Sequence, residues 1–179
     1  LGIQRREDNA YFNALLVLGP KGEIAQTYDK HHLVPFGEYL PFSQLMHRMG
    51  LRGLAENFGG GYRAGEGAQL LDMGALGSGL PLICYEAVFA QDVAAAPERP
   101  AFLMQITNDA WFGKGKGPMQ HLAQARMRAI EQGLPMARAA NTGISAMIGP
   151  RGQVLQALAL NEAGFIDAAK VCPEGLSPS

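Results

Sequence analysis

Cys84 and Lys30 are the two residues of this 179-residue chain whose type and setting point most directly to covalent chemistry. Cys84 stands in Leu-Ile-Cys-Tyr-Glu (82–86), after a short apolar run and before a segment that reads as the start of a helix over 86–93. A thiol at a strand-to-helix junction is held rigidly. It faces main-chain N–H groups that favour a thiolate and can stabilise an oxyanion. An unperturbed thiol, with a pKa of about 8.5, is only a few per cent ionised at neutral pH, so a nucleophilic role calls for a cation or base nearby. The alternative is a cysteine that merely packs, since free thiols are among the most buried side chains.

Lys30 opens the densest polar and constrained stretch, Lys-His-His-Leu-Val-Pro-Phe-Gly-Glu (30–38). An ammonium fixed by such a loop could depress a thiol pKa and stabilise a tetrahedral oxyanion. Glu38 could orient that lysine or move protons. The alternative is a surface loop of solvated charges. His31 and His32 are adjacent, so on an extended chain they point to opposite faces and do not share one ion. No other Cys or His spacing completes a site, and neither a metal nor another cofactor is expected. Trp111 and Phe112, in Asn-Asp-Ala-Trp-Phe-Gly (108–113), either line an apolar acyl or lipid pocket or fold back onto the core. Arg126, Arg128 and Arg138 read as ion-paired or solvated rather than catalytic.

The elements that must position these groups follow from pattern and punctuation. Leu1 opens in what reads as the end of a strand. Residues 11–18 form a β-rich apolar run, Gly-Pro-Lys-Gly (19–22) a turn, and 23–28 the alternating return strand. Pro35, Gly37 and Pro41 break regular structure after Lys30. A short helix is expected over 43–50 and a flexible loop at 59–61. Strands follow at 80–83 and 102–107, with a glycine-containing loop over 108–117. Pro118 then opens a helix whose apolar face is Met119, Leu122, Ala123, Met127 and Ile130. Gly133 and Pro135 end it. A strand at 136–140 and a hairpin of 144–148 with 154–158 complete the chain. Strands near both ends and helices between them predict a layered α/β domain. Sites in such folds gather where parallel strands end, which here means after residues 83 and 107.

Bulk numbers bound the function. The chain is long enough for one domain with a sizeable core and shows neither repeat nor linker. With 47% hydrophobic and 17% charged residues and a net charge of −1, nothing calls for nucleic acid as a partner. Two cysteines, Cys84 and Cys172, are too few for a disulfide scaffold. No apolar run reaches the ~18 residues of a membrane span, and no signal peptide is seen. The two ends read as cut from a longer protein.

Together these motifs resemble the nitrilase, or carbon–nitrogen hydrolase, superfamily, whose members use a Glu-Lys-Cys triad on an α-β-β-α sandwich. Lys30 matches the family lysine and Cys84 its nucleophile. Within the superfamily the finer likeness is to the apolipoprotein N-acyltransferase branch. His-Leu-Val-Pro-Phe-Gly-Glu (32–38), Ile-Cys-Tyr-Glu (83–86), Asn-Asp-Ala-Trp-Phe-Gly (108–113), Gly117-Pro118, Gln120-His121, Ala-Arg-Met-Arg-Ala (125–129) and Asn-Thr-Gly-Ile (141–144) carry it across nearly the whole chain. Soluble amidases of the superfamily usually have Asp after Cys-Tyr and lack Asn-Asp-Ala-Trp-Phe-Gly.

The resemblance implies acyl transfer from a phospholipid, through a Cys84 thioester, to the N-terminal amine of a diacylglyceryl-cysteine lipoprotein. Lys30 would stabilise the oxyanion, Glu38 would join it in catalysis, and Glu86 and Tyr85 would support the site. Trp111 and Phe112 would meet the lipid. It further implies a parent protein in the bacterial inner membrane, its catalytic domain on the periplasmic face. The family's glutamate base lies well upstream of its lysine, and Glu23 stands too near Lys30 to replace it. Residues 1–179 are therefore expected to form one partial domain, a sandwich incomplete at its N-terminal side and with little activity alone. A soluble nitrilase-type amidase or carbamoylase, and a non-catalytic binding fragment, are the competing expectations.

Overall fold

The computed structural model describes residues 1–40, 61–113 and 115–167. The helix expected over 43–50, Pro41, Gly59, Gly60 and Cys172 lie outside the described residues.

Two sheets form the body. The first is antiparallel, with β1 (Gly2–Glu7), β2 (Ala10–Leu18) and β3 (Ile24–Asp29) in sequence order. Leu1 thus precedes a full six-residue strand rather than ending one. The β1–β2 turn is the dipeptide Asp8-Asn9, both with positive φ, the conformation of a two-residue hairpin loop that matches the strand twist. The second sheet has six strands in order β4 (Leu71–Asp72), β5 (Ser78–Ile83), β6 (Phe102–Asn108), β7 (Met136–Asn141), β8 (Ser145–Ile148) and β9 (Val154–Leu158). Its centre, β5-β6-β7, is parallel, and its flanks are antiparallel hairpin pairings. Parallel strands need crossovers. These run through the short helix α1 (Ala90–Ala94) and the longer α2 (Gly117–Gln132).

Each face of the second sheet has its own core. Leu80, Leu82, Leu103, Met136, Ala146 and Ile148 pack against Ala125 and Ala129 of α2. On the other face, Leu71 and Ile83 meet Leu15 and Tyr28 of the first sheet. The period-two alternation of β6 separates the layers: Leu103 faces the helices, Met104 and Ile106 the opposite sheet. Sheet, sheet and helix give three layers of the expected α-β-β-α sandwich among the described residues.

Two expectations need correction. The helix expected over 86–93 is instead a 3-10 turn over Cys84–Val88, an extended Phe89, and α1. The Glu86 side chain is drawn back to the Ile83 N–H and to the first sheet, and that tertiary pull overrides the local helical pattern. The apolar face assigned to α2 is right only at Leu122, which packs against the core. Met119, Met127 and Ile130 are exposed, whereas Pro118, His121, Ala125, Arg128 and Ala129 are buried. Small alanines let the helix approach the sheet; His121 is buried against Asp109 beneath it, and Arg128 reaches Val88 O and Glu131. Among the described residues, no helix is long and apolar enough to cross a membrane.

Candidate active site

Strands β5, β6 and β7 run in parallel and finish on one edge, where a twisted α/β sheet presents its loops. Cys84 follows β5 at that edge. Its φ is +50°, a left-handed conformation that L-residues avoid at a cost of roughly 1–2 kcal/mol. The chain therefore turns sharply at the thiol, which is half-buried and free. The N–H groups of a 3-10 turn, not those of an α-helix, follow it.

Lys30 continues from the end of β3, its main-chain N–H donating to Asn13 O at 2.8 Å. The side chain is only 1% exposed, so it is no solvated loop lysine. Its Nζ donates to Glu38 Oε2 at 2.6 Å. The same Glu38 oxygen accepts the Val34 N–H at 2.8 Å, and Glu38 Oε1 accepts Asn13 Nδ2 at 2.9 Å. Pro35 and Gly37 lie in the reversal that brings Glu38 back over the lysine. A buried ammonium needs such a partner.

Glu86 joins the two halves. It is fully buried, and its Oε2 accepts the Ile83 N–H at 2.7 Å beside Cys84. Its Oε1 accepts Tyr28 Oη at 2.9 Å and the main-chain N–H groups of His31 at 2.8 Å and His32 at 3.2 Å. His31 Nδ1 lies 2.9 Å from the same oxygen. One carboxylate thus fastens the loop after Lys30 to the turn at Cys84. Burial pushes the Glu86 carboxyl up, but the His31 and main-chain hydrogen bonds outweigh it and hold it below its ordinary range. The bond to Glu86 raises His31 against the opposing effect of burial. A second fastening lies nearby. His32 Nδ1 is 2.6 Å from Asp92 Oδ2, and its ring stacks on Phe89 at 4.2 Å and meets the edge of Tyr85 at 5.5 Å. The two histidines are thus engaged with carboxylates, and among the described residues no cluster of His, Cys, Asp or Glu could hold a metal ion.

Beneath the Cys84 turn lies a buried polar network that the sequence reading did not single out as a site. Asp109, after β6, accepts from Arg138 Nη2 at 2.7 Å and from Thr107 Oγ1 at 3.1 Å. His121 Nδ1 lies 2.8 Å from Asp109 Oδ1. Arg138 Nη1 donates to Gln105 Oε1, an outcome of the register that sets Gln105 beside Arg138 on β6 and β7. Burial pushes the Arg138 guanidinium down, against the pull of Asp109. Burial likewise pushes Asp109 up, but His121 and Arg138 outweigh it and hold the carboxyl low. Arg138 is accordingly ion-paired, as expected. The signal for the network was present in β6: Gln105 and Thr107 place polar groups at alternate positions among Phe102, Leu103, Met104 and Ile106.

Trp111 and Phe112 occupy the 3-10 turn Asp109–Phe112 and stand 67% and 45% exposed. Phe112 leans on the His121 ring, with centroids 5.3 Å apart, while Trp111 projects to the surface. Neither is folded into the core. A recess of about 510 Å³ beside the lysine loop is lined by His31, His32, Leu33, Pro35, Tyr39 and Tyr62.

The thiol thus stands on a left-handed strand-end turn, and a buried carboxylate ties that turn to the loop after a buried lysine. The carbon-nitrogen hydrolase family model matches residues 1–170, and the chain belongs to that family. Among curated relatives it is similar to the apolipoprotein N-acyltransferase of Bradyrhizobium diazoefficiens, 48% identical over 168 residues, covering 94% of this chain and 31% of the relative. The apolipoprotein N-acyltransferase of Rhodopseudomonas palustris is 46% identical over 169 residues, with the same coverage of 94% and 31%. The chain thus spans about a third of the length of these relatives. Among solved structures, the carbon-nitrogen hydrolase of Helicobacter pylori G27 superposes with a TM-score of 0.67 at 18% identity, covering 90% of this chain and 58% of that one. A CN-hydrolase superfamily protein of Xanthomonas campestris gives 0.62 at 23%, covering 95% and 62%. These superpositions show the fold.

Proposed function

We propose that this chain carries the acyl-accepting thiol and the oxyanion-stabilising lysine of an apolipoprotein N-acyltransferase. The observation that carries the reading is the buried Lys30–Glu38 pair held to the Cys84 turn through Glu86. The likeness to N-acyltransferases, rather than to soluble amidases, supplies the substrate class.

In the first step the Cys84 thiolate attacks the carbonyl carbon of a phospholipid acyl ester. A C–S bond forms and the C–O bond to glycerol breaks; the alkoxide takes a proton and leaves as a lysophospholipid. In the second, the amine of a diacylglyceryl-cysteine N-terminus attacks the thioester. A C–N bond forms, the C–S bond breaks, the thiolate returns, and the amine's extra proton passes to a base. Splitting the transfer across a covalent intermediate suits a thiolate. Lys30 holds positive charge toward the oxyanion of both tetrahedral species. Glu38 fixes that ammonium and is the carboxylate within reach of its protons. Tyr85 and Glu86 support the turn, and Trp111 and Phe112 meet lipid at the surface. The parent works at the periplasmic face of the bacterial inner membrane, and residues 1–179 are part of its one catalytic domain.

The test is transfer of a labelled acyl chain from phospholipid to a diacylglyceryl-cysteine peptide by the full-length protein and its Cys84→Ala variant. Loss of transfer in the variant is expected. Cleavage of small soluble amides with no transfer from phospholipid would reassign the chain to a soluble amidase.

A further inference from the structure

We propose that His121 is a positioning residue for the oxyanion site. Through the Cys84 carbonyl it fixes the plane of the Cys84–Tyr85 peptide and so aims the Tyr85 N–H. The inference rests on the reading of Cys84 as the acyl-carrying thiol.

The left-handed turn at Cys84 takes its carbonyl out of the β5 ladder. Two side chains approach that oxygen instead: Gln105 Nε2 from β6 and His121 Nε2 from α2, each at 3.3 Å. Both are fixed from behind. Arg138 donates to Gln105 Oε1, which determines which end of the amide faces Cys84. Asp109 holds His121 Nδ1 and is itself held by Arg138 and Thr107. A neutral His121 ring, with its proton on Nδ1, accepts the second Gln105 N–H at Nε2, 3.3 Å away. A charged ring donates from Nε2 to the Cys84 carbonyl. In the first state His121 fixes Gln105, which donates to the Cys84 carbonyl; in the second the ring donates to that oxygen itself. All of these side chains are buried, so water does not compete.

A trans peptide is planar, with its C=O and N–H pointing in opposite directions. Holding the Cys84 carbonyl toward α2 therefore sends the Tyr85 N–H to the other side. That N–H lies in the first turn of a 3-10 helix, where the turn itself supplies no acceptor. A donor of this kind stabilises a developing oxyanion only when its direction is set beforehand. The His121–Asp109–Arg138–Gln105 frame sets it.

Two substitutions at His121 separate its two nitrogens in the full-length protein. His121→Asn keeps an amide near the Nδ1 position, facing Asp109, and withdraws the group at Nε2. His121→Gln does the reverse. Each is measured by acyl transfer from labelled phospholipid and by alkylation of Cys84 with iodoacetamide, a displacement that forms no oxyanion. His121→Asn should lower kcat for transfer about 100-fold, the scale of one lost oxyanion donor. Its alkylation rate should stay within about three-fold, because the thiol itself is untouched. His121→Gln should keep most of the transfer rate. Equal losses in the two variants, unchanged transfer in His121→Asn, or alkylation falling in step with transfer would overturn the proposal. If the His121 variants fail to fold, Gln105→Glu keeps the acceptor for Arg138 and sets an oxygen against the Cys84 carbonyl. It should show the same split between transfer and alkylation, and its absence defeats the inference. Transfer that survives Cys84→Ala defeats the thiol reading. Transfer lost in Cys84→Ala but intact in His121→Asn and Gln105→Glu defeats this inference alone.

Discussion

Glu86 accepts the main-chain N–H of His31 at 2.8 Å, so the residue two positions after the candidate nucleophile holds the residue next to the candidate lysine. One buried carboxylate thus links the main chain just before Cys84 to the main chain just after Lys30. Replacing Glu86 with Ala leaves the Ile83, His31 and His32 N–H groups short of an acceptor. The expected cost is about 3–5 kcal/mol of unfolding free energy, the range for breaking a buried charged contact. Urea denaturation of the full-length protein or its catalytic domain reads it. A cost below about 1 kcal/mol, the size of a surface substitution, contradicts the clamp.

The same clamp predicts a pH optimum of stability. Glu86 is held below its ordinary range, so its contribution is present above the unfolded carboxyl pKa of about 4.3 and is lost as pH falls through the lower folded value. Asp109 adds to this acid limb in the same sense. His31 is raised, so its contribution is full below the unfolded value of about 6.5 and is lost as pH rises through the higher folded value. Melting temperatures taken from pH 3 to 9 should peak between these limits. His31→Gln should flatten the alkaline limb and weaken the Glu86 part of the acid limb, leaving the Asp109 part; an alkaline limb unchanged in that variant shows that His31 does not produce it.

Arg138 and Asp109 are fully buried and 2.7 Å apart. Asp109→Ala leaves a buried guanidinium without its partner and should cost about 3–5 kcal/mol. The double variant Asp109→Ala with Arg138→Met removes both charges and should lose less than Asp109→Ala alone. Thermal denaturation of the three proteins decides it, and a double variant less stable than the single one refutes the coupling.

Trp111 stands 67% exposed on the turn after β6. Trp111→Ala should leave stability within about 0.5 kcal/mol, as for a surface residue. If the residue meets lipid, the same change weakens binding of the full-length protein's phospholipid substrate and raises its KM. An unchanged KM argues against a lipid contact.

Much of this fold could be read from the sequence, for identifiable reasons. The β2–β3 hairpin, the strands at β5, β6 and β7, the β8–β9 hairpin and the limits of α2 are set by local punctuation: Gly19-Pro20, Pro118, Gly133 and Pro150-Arg151-Gly152. Gly133 takes up φ +61° and caps α2 as its position suggested. Lys30, Cys84, Glu38 and Glu86 stood out by motif, and the structure brings Lys30 to Glu38 and ties the lysine loop to the Cys84 turn. What could not be read depends on long-range partners. Nothing local says that Glu86 reaches back to Tyr28, so its segment read as a helix. Nothing local says that His121 and Arg128 face inward while Met127 faces out. Apolar spacing predicts burial only where the core is apolar, and α2 covers an apolar core through Ala125 and Ala129 but a polar network through His121.

Cys84 as the carrier of the acyl chain is tested by trapping its thioester. The full-length protein would be incubated with phospholipid in the absence of an acceptor amine, quenched in acid and digested, and the peptide containing Cys84 weighed. A mass increase of one acyl group is expected, absent in Cys84→Ser and discharged when a diacylglyceryl-cysteine peptide is added before the quench. An unmodified Cys84 peptide under conditions where the acceptor is acylated at its normal rate contradicts it.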